Sequence, residues 1–150
     1  LTPQGNPGEI TAASIDRLHA MVLEALSDRD GFARWFGLHA SQPKYAEADW
    51  RPEEPIGEET VRALLAEGAP LCRNPASRFS FIRQAEGAVL LFVDGHCFDC
   101  MGDAASLAEG LCADSTLVVE PDLASSAPVV ALIAALIDQG SLAFEDEDED

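Results

Sequence analysis

The chain has 150 residues, 47% hydrophobic and 24% charged, a balance that allows one buried core and excludes disorder throughout. It carries 27 acidic and 9 basic residues, for a net charge of −18, and residues 84–150 hold 15 of the acidic residues and no Lys or Arg. Because affinity for nucleic acids and anionic lipids depends largely on cationic side chains, this balance excludes sequence-independent binding of either by the C-terminal half.

The first predicted element is a helix that runs from about Thr11 to Ser27. Thr11 is a residue type preferred at helix N-caps, and apolar side chains then recur at helical spacing. An apolar face this wide is more than a small domain usually covers, so we predict that it makes a second contact. The members of this apolar stripe are Ile15, Leu18, Val22 and Leu26.

A second helix is predicted after a break at residues 30–31, and it ends before Pro43 because the residue preceding a proline avoids the helical region. Phe32, Trp35 and Phe36 lie at positions i, i+3 and i+4 of this helix. Three large aromatic side chains so close together are typical of a packing interface.

The rest of the chain alternates short strands with helices. Residues 115–119 fit either a strand or a buried turn, and the Asp94-Gly95 pair is a strong hairpin signal. Asp103 is predicted to cap the helix that follows the hairpin, and Ser125 or Ser126 to cap the last helix. The predicted elements are a helix at 58–67, strands at 70–73, 78–83, 88–93 and 96–100, helices at 104–112 and 128–139, and an edge strand at 142–144.

This order predicts an α+β fold in which a helical hairpin dimerisation segment precedes a winged-helix-like domain with a small antiparallel sheet. Neither candidate recognition helix contains Lys or Arg, so DNA readout is not predicted. The predicted boundaries are a helical segment at 1–41, a linker at 42–57, the winged-helix-like domain at 58–144 and a disordered acidic tail at 145–150.

No catalytic, cofactor-binding or metal site is predicted within this chain. Cys97 and Cys100 lie next to His96, but a zinc site needs a second ligand pair, and alternation along a strand places the two thiols on opposite faces. No histidine begins the His-X-Asp/Glu pair that a facial iron site requires. The four cysteines are therefore predicted to be structural thiols.

Several segments, in the same order and at similar spacing, resemble bacterial ribosomal oxygenases of the JmjC/cupin type. The resemblance runs from about Asp16 to Glu145. The segments that carry it are Phe32-Ala33-Arg34-Trp35-Phe36-Gly37, Ser41-Gln42-Pro43-Lys44, Leu71-Cys72-Arg73, Leu91-Phe92-Val93-Asp94-Gly95, and residues 132–140 followed by 142–145.

In that family, an N-terminal JmjC cupin domain carries Fe(II) and 2-oxoglutarate, and a helical dimerisation segment and a winged-helix-like domain follow it. The resemblance covers the last two parts only, so it implies that the metal and the 2-oxoglutarate site lie upstream of Leu1. A chain that begins without Met is expected to be a fragment of such a protein.

The resemblance and the residue pattern together predict a homodimer formed through one two-fold interface. A basic ribosomal protein is predicted as the substrate of the parent enzyme, attracted by the acidic surface. No signal peptide or membrane span is evident, which leads us to expect a cytoplasmic protein without a membrane partner. The predicted interface residues are Ile15, Leu18, Val22, Leu26, Phe32, Trp35 and Phe36.

Two alternatives stay open at this point. The chain can be a stand-alone acidic module for protein–protein interaction, with a winged helix that does not bind DNA. It can also be a metal- or thiol-linked sensor that uses Cys97 and Cys100.

Overall fold

The structure is a computed structural model that describes residues 8–42 and 49–145, apart from the side chains of residues 25 and 26. Its contacts group the chain into two compact units, residues 1–35 and 36–150, and we describe each unit separately. Part of the predicted linker, residues 43–48, and the predicted acidic tail after Glu145 lie outside the described residues.

The first unit contains helix α1, Ala12–Ser27, and the beginning of helix α2, Arg29–Ala40. The Thr11 hydroxyl accepts a hydrogen bond from the Ser14 backbone N–H at 3.2 Å, which confirms the predicted N-cap. The predicted break at residues 30–31 is wrong, because the chain leaves helical geometry at Asp28. The Asp28 carboxylate accepts a hydrogen bond from the Gly31 N–H at 3.2 Å, as an N-cap residue does, and α2 therefore starts at Arg29.

The second unit contains the end of α2 and all the remaining elements. A glycine with positive φ follows two of its helices, Gly68 after the third helix and Gly140 after the last. The elements are α3 Glu58–Ala66, β1 Leu71–Arg73, β2 Phe79–Arg83, β3 Val89–Val93, β4 His96–Cys100, α4 Asp103–Ala113, β5 Thr116–Leu117, α5 Pro121–Ala124, α6 Ala127–Asp138 and β6 Leu142–Phe144.

In the described part of the chain, six strands form two antiparallel sheets of three strands, where one small sheet was predicted, and this architecture confirms the predicted α+β, winged-helix-like class. One sheet has the order β2-β3-β4 and contains the predicted hairpin, with Val93 opposite His96. The other has the order β5-β1-β6, in which Leu71 lies opposite both Leu117 and Phe144. Within the segment left open at 115–119, Thr116–Leu117 therefore forms an edge strand, and β6 occupies the other edge as predicted.

The core lies between β3, α4 and α6, and β3 is buried along its whole length. Because side chains alternate along a strand, Leu91 packs into this core while Phe92 points to the opposite face. There the Phe92 ring lies against Gly37 of α2, and it has no exposed surface. The end of α2 thus packs at Gly37 against the face of β3 that points away from the core.

One predicted helix cap lies at another residue, and a second is confirmed in position but not in its side-chain hydrogen bond. Asp103 lies inside the first turn of α4, and the N-cap is Gly102, whose φ of 57° suits glycine. Ser126 is the N-cap of α6, but its side chain donates and accepts no capping hydrogen bond. The four-residue helix α5 that precedes it was not predicted, because a single turn leaves no periodic signal.

A carboxylate in the hairpin turn connects three segments of the second unit. Asp94 adopts a left-handed φ of 50°, and Gly95 follows with 84°, as the predicted two-residue turn requires. The Asp94 carboxylate accepts hydrogen bonds from the hydroxyls of Ser77 at 2.5 Å and Ser141 at 2.7 Å, and from the Arg78 N–H at 2.9 Å. The hairpin is thereby tied to the start of β2 and to β6.

Among the described helices, none combines the length and the apolar character that crossing a membrane requires.

Candidate subunit interface

The first unit presents large apolar side chains to solvent along α1. Leu18 is 62% exposed, and Ile15 and Val22, which share its face of the helix, are exposed as well. Scattered exposed apolar residues are ordinary, but a contiguous stripe of them marks an interaction surface. Leu26 continues the helix, but its side chain lies outside the described part of the chain.

A groove of about 860 Å³ separates α1 from the beginning of α2 within this unit. The rings of Phe32 and Trp35 lie 6.0 Å apart at an interplanar angle of 31°, and Trp35 is 59% exposed. An exposed tryptophan at the rim of an apolar groove is a typical anchor of a protein interface. The groove is lined by Met21, Val22, Glu24, Asp28, Gly31, Phe32 and Trp35.

The structure brings together three of the seven predicted interface residues, since Val22, Phe32 and Trp35 line this one groove. Phe36 belongs to the second unit, where it is 55% exposed. Ile15, Leu18 and Phe36 are exposed apolar residues that do not line the groove.

The groove also contains Met21 and Gly31, which the predicted interface omits. A Cβ atom added to Gly31 would lie 2.7 Å from Oδ2 of Asp28, so glycine allows the capping carboxylate to approach the helix. The spacing of Asp28 and Gly31, an Asp-X-X-Gly pattern, is the signal in the sequence that could have identified Asp28 as the N-cap of α2.

The cysteines do not form a metal centre within the described residues, where no group of three His, Cys, Asp or Glu side chains could hold an ion. Cys97 lies opposite Phe92 and Cys100 opposite Val89, so the two thiols point to opposite faces of their strand, as predicted. Burial raises the pKa of the Cys100 thiol to about 11, and burial likewise raises the pKa of Cys112 to about 11.

A curated relative matches nearly the whole chain. The ribosomal protein uL16 3-hydroxylase of Escherichia coli is 25% identical over 145 residues, which are 95% of this chain and 37% of that enzyme. The chain thus spans well under half the length of this relative.

Solved structures show the same fold. The crystal structure of the Escherichia coli ribosomal oxygenase YcfD matches with a TM-score of 0.70 and 23% identity, over 97% of this chain and 39% of that one. A structure of YcfD in complex with cobalt and 2-oxoglutarate matches with a TM-score of 0.68 and 22% identity, over 97% and 39% of the two chains.

The matched part of these proteins is a C-terminal region, which confirms the resemblance that the sequence predicted. A family model described as the ROXA-like winged helix matches residues 24–143. Since this model covers most of the chain, the protein belongs to the ROXA-like winged-helix family.

Proposed function

We propose that this chain is the dimerisation and winged-helix part of a 2-oxoglutarate- and Fe(II)-dependent ribosomal protein hydroxylase, and that it is not catalytic by itself. Family membership and the match to a ribosomal protein hydroxylase support this proposal. The observation that carries the scaffolding role is the exposed apolar surface of the first unit, where Leu18 and Trp35 are each more than half exposed.

The metal and 2-oxoglutarate are assigned to a part of the parent protein that this chain does not match. One solved structure of YcfD, of which this chain covers 39%, is a complex with cobalt and 2-oxoglutarate. The described residues of this chain do not fit the metal, because they bring no three ligand-type side chains together. We therefore derive no step of the hydroxylation from this chain's residues.

The homodimer is proposed to form when two copies of the first unit cover each other's apolar surfaces. In a two-fold interface each copy presents the same patch, so a single exposed stripe is sufficient. Burying an aromatic anchor and its apolar neighbours supplies the main driving force for such an association.

Light scattering of the purified chain at micromolar concentration tests this proposal. We expect a mass twice the 16.0 kDa of one chain. Trp35→Ala is expected to weaken the dimer at least tenfold, on the order of 1.4 kcal/mol or more. Val118→Ala, which truncates an exposed apolar residue of the second unit, is the matched control and should leave the mass unchanged. A monomer at these concentrations would instead favour the stand-alone interaction module.

We also propose that the acidic surface attracts a basic ribosomal protein, the substrate class named for the curated relative. Long-range attraction between opposite charges is screened by salt, with a Debye length of about 10 Å at 0.1 M. Affinity of the chain for purified ribosomal protein uL16 should therefore fall as sodium chloride is raised. An affinity independent of salt would contradict this role. The cytoplasmic location remains a prediction.

A further inference from the structure

A groove of about 480 Å³ opens on the second unit, where β1 ends and β2 begins. Two arginines, Arg73 and Arg78, line it together with the Phe79 ring and the hydroxyl-bearing residues Ser80 and Ser115. This groove shares no residue with the apolar surface of the first unit, and the proposed function makes no use of it.

Neither Arg73 nor Arg78 has a carboxylate partner in the described part of the chain, which is also true of Arg17, Arg29 and Arg62 but not of two others. Arg51 pairs with Asp49, and Arg83 pairs with Glu109, each at 2.9 Å. The Arg73 guanidinium instead donates to a backbone carbonyl at 3.3 Å, and that of Arg78 reaches the Ala40 carbonyl at 3.5 Å. In a chain with three times as many acidic as basic residues, Arg73 and Arg78 place two positive charges on one groove whose lining contains no carboxylate.

Both arginines are held in place while most of their donors stay available. The Arg73 guanidinium lies over the Phe79 ring, 5.6 Å from its centroid, and donates one N–H to Cys112. The Arg78 backbone N–H donates to Asp94, which fixes the start of β2 beside the groove. A guanidinium has five N–H donors in a planar fork that matches carboxylate and phosphate oxygens, so each arginine retains donors for a ligand.

The chemistry and size of the groove together restrict its ligand. Guanidinium and hydroxyl donors recognise oxyanions, and the Phe79 ring offers an apolar wall beside them. A volume of about 480 Å³ lies within the range of roughly 300 to 1,000 Å³ typical of small-molecule sites. Every phosphate of a nucleic acid would be repelled by the net charge of −18, whereas a small anion carries only one or two negative charges and is repelled less.

We propose that this groove binds a small organic oxyanion, a carboxylate or a phosphate ester, with its anionic group held by Arg73 and Arg78 and its carbon skeleton beside Phe79. Guanidinium groups bind carboxylates and phosphates through the same kind of hydrogen bond, so separate probes are needed to distinguish the two classes.

Nuclear magnetic resonance titration of the ¹⁵N-labelled chain, with inorganic phosphate and with succinate as separate probes, tests the proposal. We expect saturable shifts of the Arg73 and Arg78 Nε–H signals and of the Ser80 and Ser115 amides with at least one probe. The probe that binds more tightly identifies the ligand as a phosphate ester or a carboxylate. Arg78→Gln should weaken binding about tenfold, because it removes one charge-assisted contact.

Arg83→Gln is the matched control, since Arg83 is already paired with Glu109 and should leave the affinity for both probes unchanged. A well-dispersed amide spectrum of each variant verifies that it has folded, and Arg73→Gln provides an independent test of the same site. The proposal is overturned if neither probe gives saturable shifts, if Arg78→Gln and Arg73→Gln bind like the unmodified chain, or if single-stranded RNA binds more tightly than both probes.

Discussion

Gly37 and Phe92 are 55 positions apart in the sequence, and the helix backbone at Gly37 lies directly against the Phe92 ring. A Cβ atom at position 37 would overlap three carbons of that ring. The Phe92 side chain is fully buried, so the ring has no open space into which it could shift. The missing side chain therefore allows the end of α2 to pack directly against Phe92 on the second face of β3.

Gly37→Ala is expected to destabilise the second unit by about 1–3 kcal/mol, because overpacking forces the ring or the helix to shift. The free energy of unfolding in urea, followed by circular dichroism, measures this loss. A double-mutant cycle with Phe92→Leu isolates the contact, since the smaller side chain should remove part of the clash. If the alanine variant keeps full stability, the close approach of helix and ring is wrong.

The Asp94 carboxylate is expected to stabilise the second unit through the hydroxyls of Ser77 and Ser141. Asp94→Gly removes the three hydrogen bonds yet keeps the left-handed φ accessible, and should cost about 2–4 kcal/mol. Asp94→Asn should cost less, because asparagine adopts positive φ readily and retains one acceptor oxygen. Urea unfolding midpoints compare the variants, and equal midpoints for Asp94→Gly and the unmodified chain would contradict the assigned network.

Alkaline pH is expected to destabilise the fold through its buried thiols. Burial raises the pKa of Cys100 and Cys112 from 9.0 to about 11, so the folded state favours the protonated thiol. The resulting stabilisation is fully present below pH 9 and is lost as the pH rises from 9 through 11. The free energy of unfolding, measured across this window, should fall more steeply for the unmodified chain than for a Cys100→Ala/Cys112→Ala variant. Parallel curves would count against the raised pKa values.

Leu18→Glu is expected to convert the proposed homodimer into a monomer at micromolar concentration. Leu18 is 62% exposed in the single chain, so the change should leave its folding intact, whereas an unpaired carboxylate buried between two copies is strongly unfavourable. Sedimentation velocity detects the change in mass. Val118→Glu places the same charge on an exposed apolar position of the second unit and should leave the dimer intact.

Local signals in the sequence predicted most of the elements. Thr11 identified the start of α1, and the Asp94-Gly95 pair identified the hairpin that joins β3 to β4. Each of these depends on neighbours within a few positions, where propensity and spacing are informative.

What the sequence could not provide was the pairing of distant segments. Nothing near Leu71 indicates that its strand pairs on both sides with strands 46 and 73 positions later. The groove beside Arg73 and Arg78 was missed for the same reason, since Ala40 and Ser115 complete its lining from distant parts of the chain. The break between α1 and α2 was predicted at residues 30–31 because Asp-Gly is a strong turn signal. In the structure the break lies at Asp28, whose carboxylate caps α2 by accepting the Gly31 N–H.

The position of β1 between β5 and β6 also governs the order in which the second unit can assemble. The hairpin sheet forms from neighbouring segments, whereas the second sheet needs Leu142–Phe144, the last of the described strands. Such long-range pairing slows folding, because a large loop must close before any contact compensates for it. On a translating ribosome the hairpin is therefore expected to form first, and the second sheet only after the C-terminal strand has left the exit tunnel. Arrested chains that end before and after this strand, probed by limited proteolysis, would differ in resistance if this order holds.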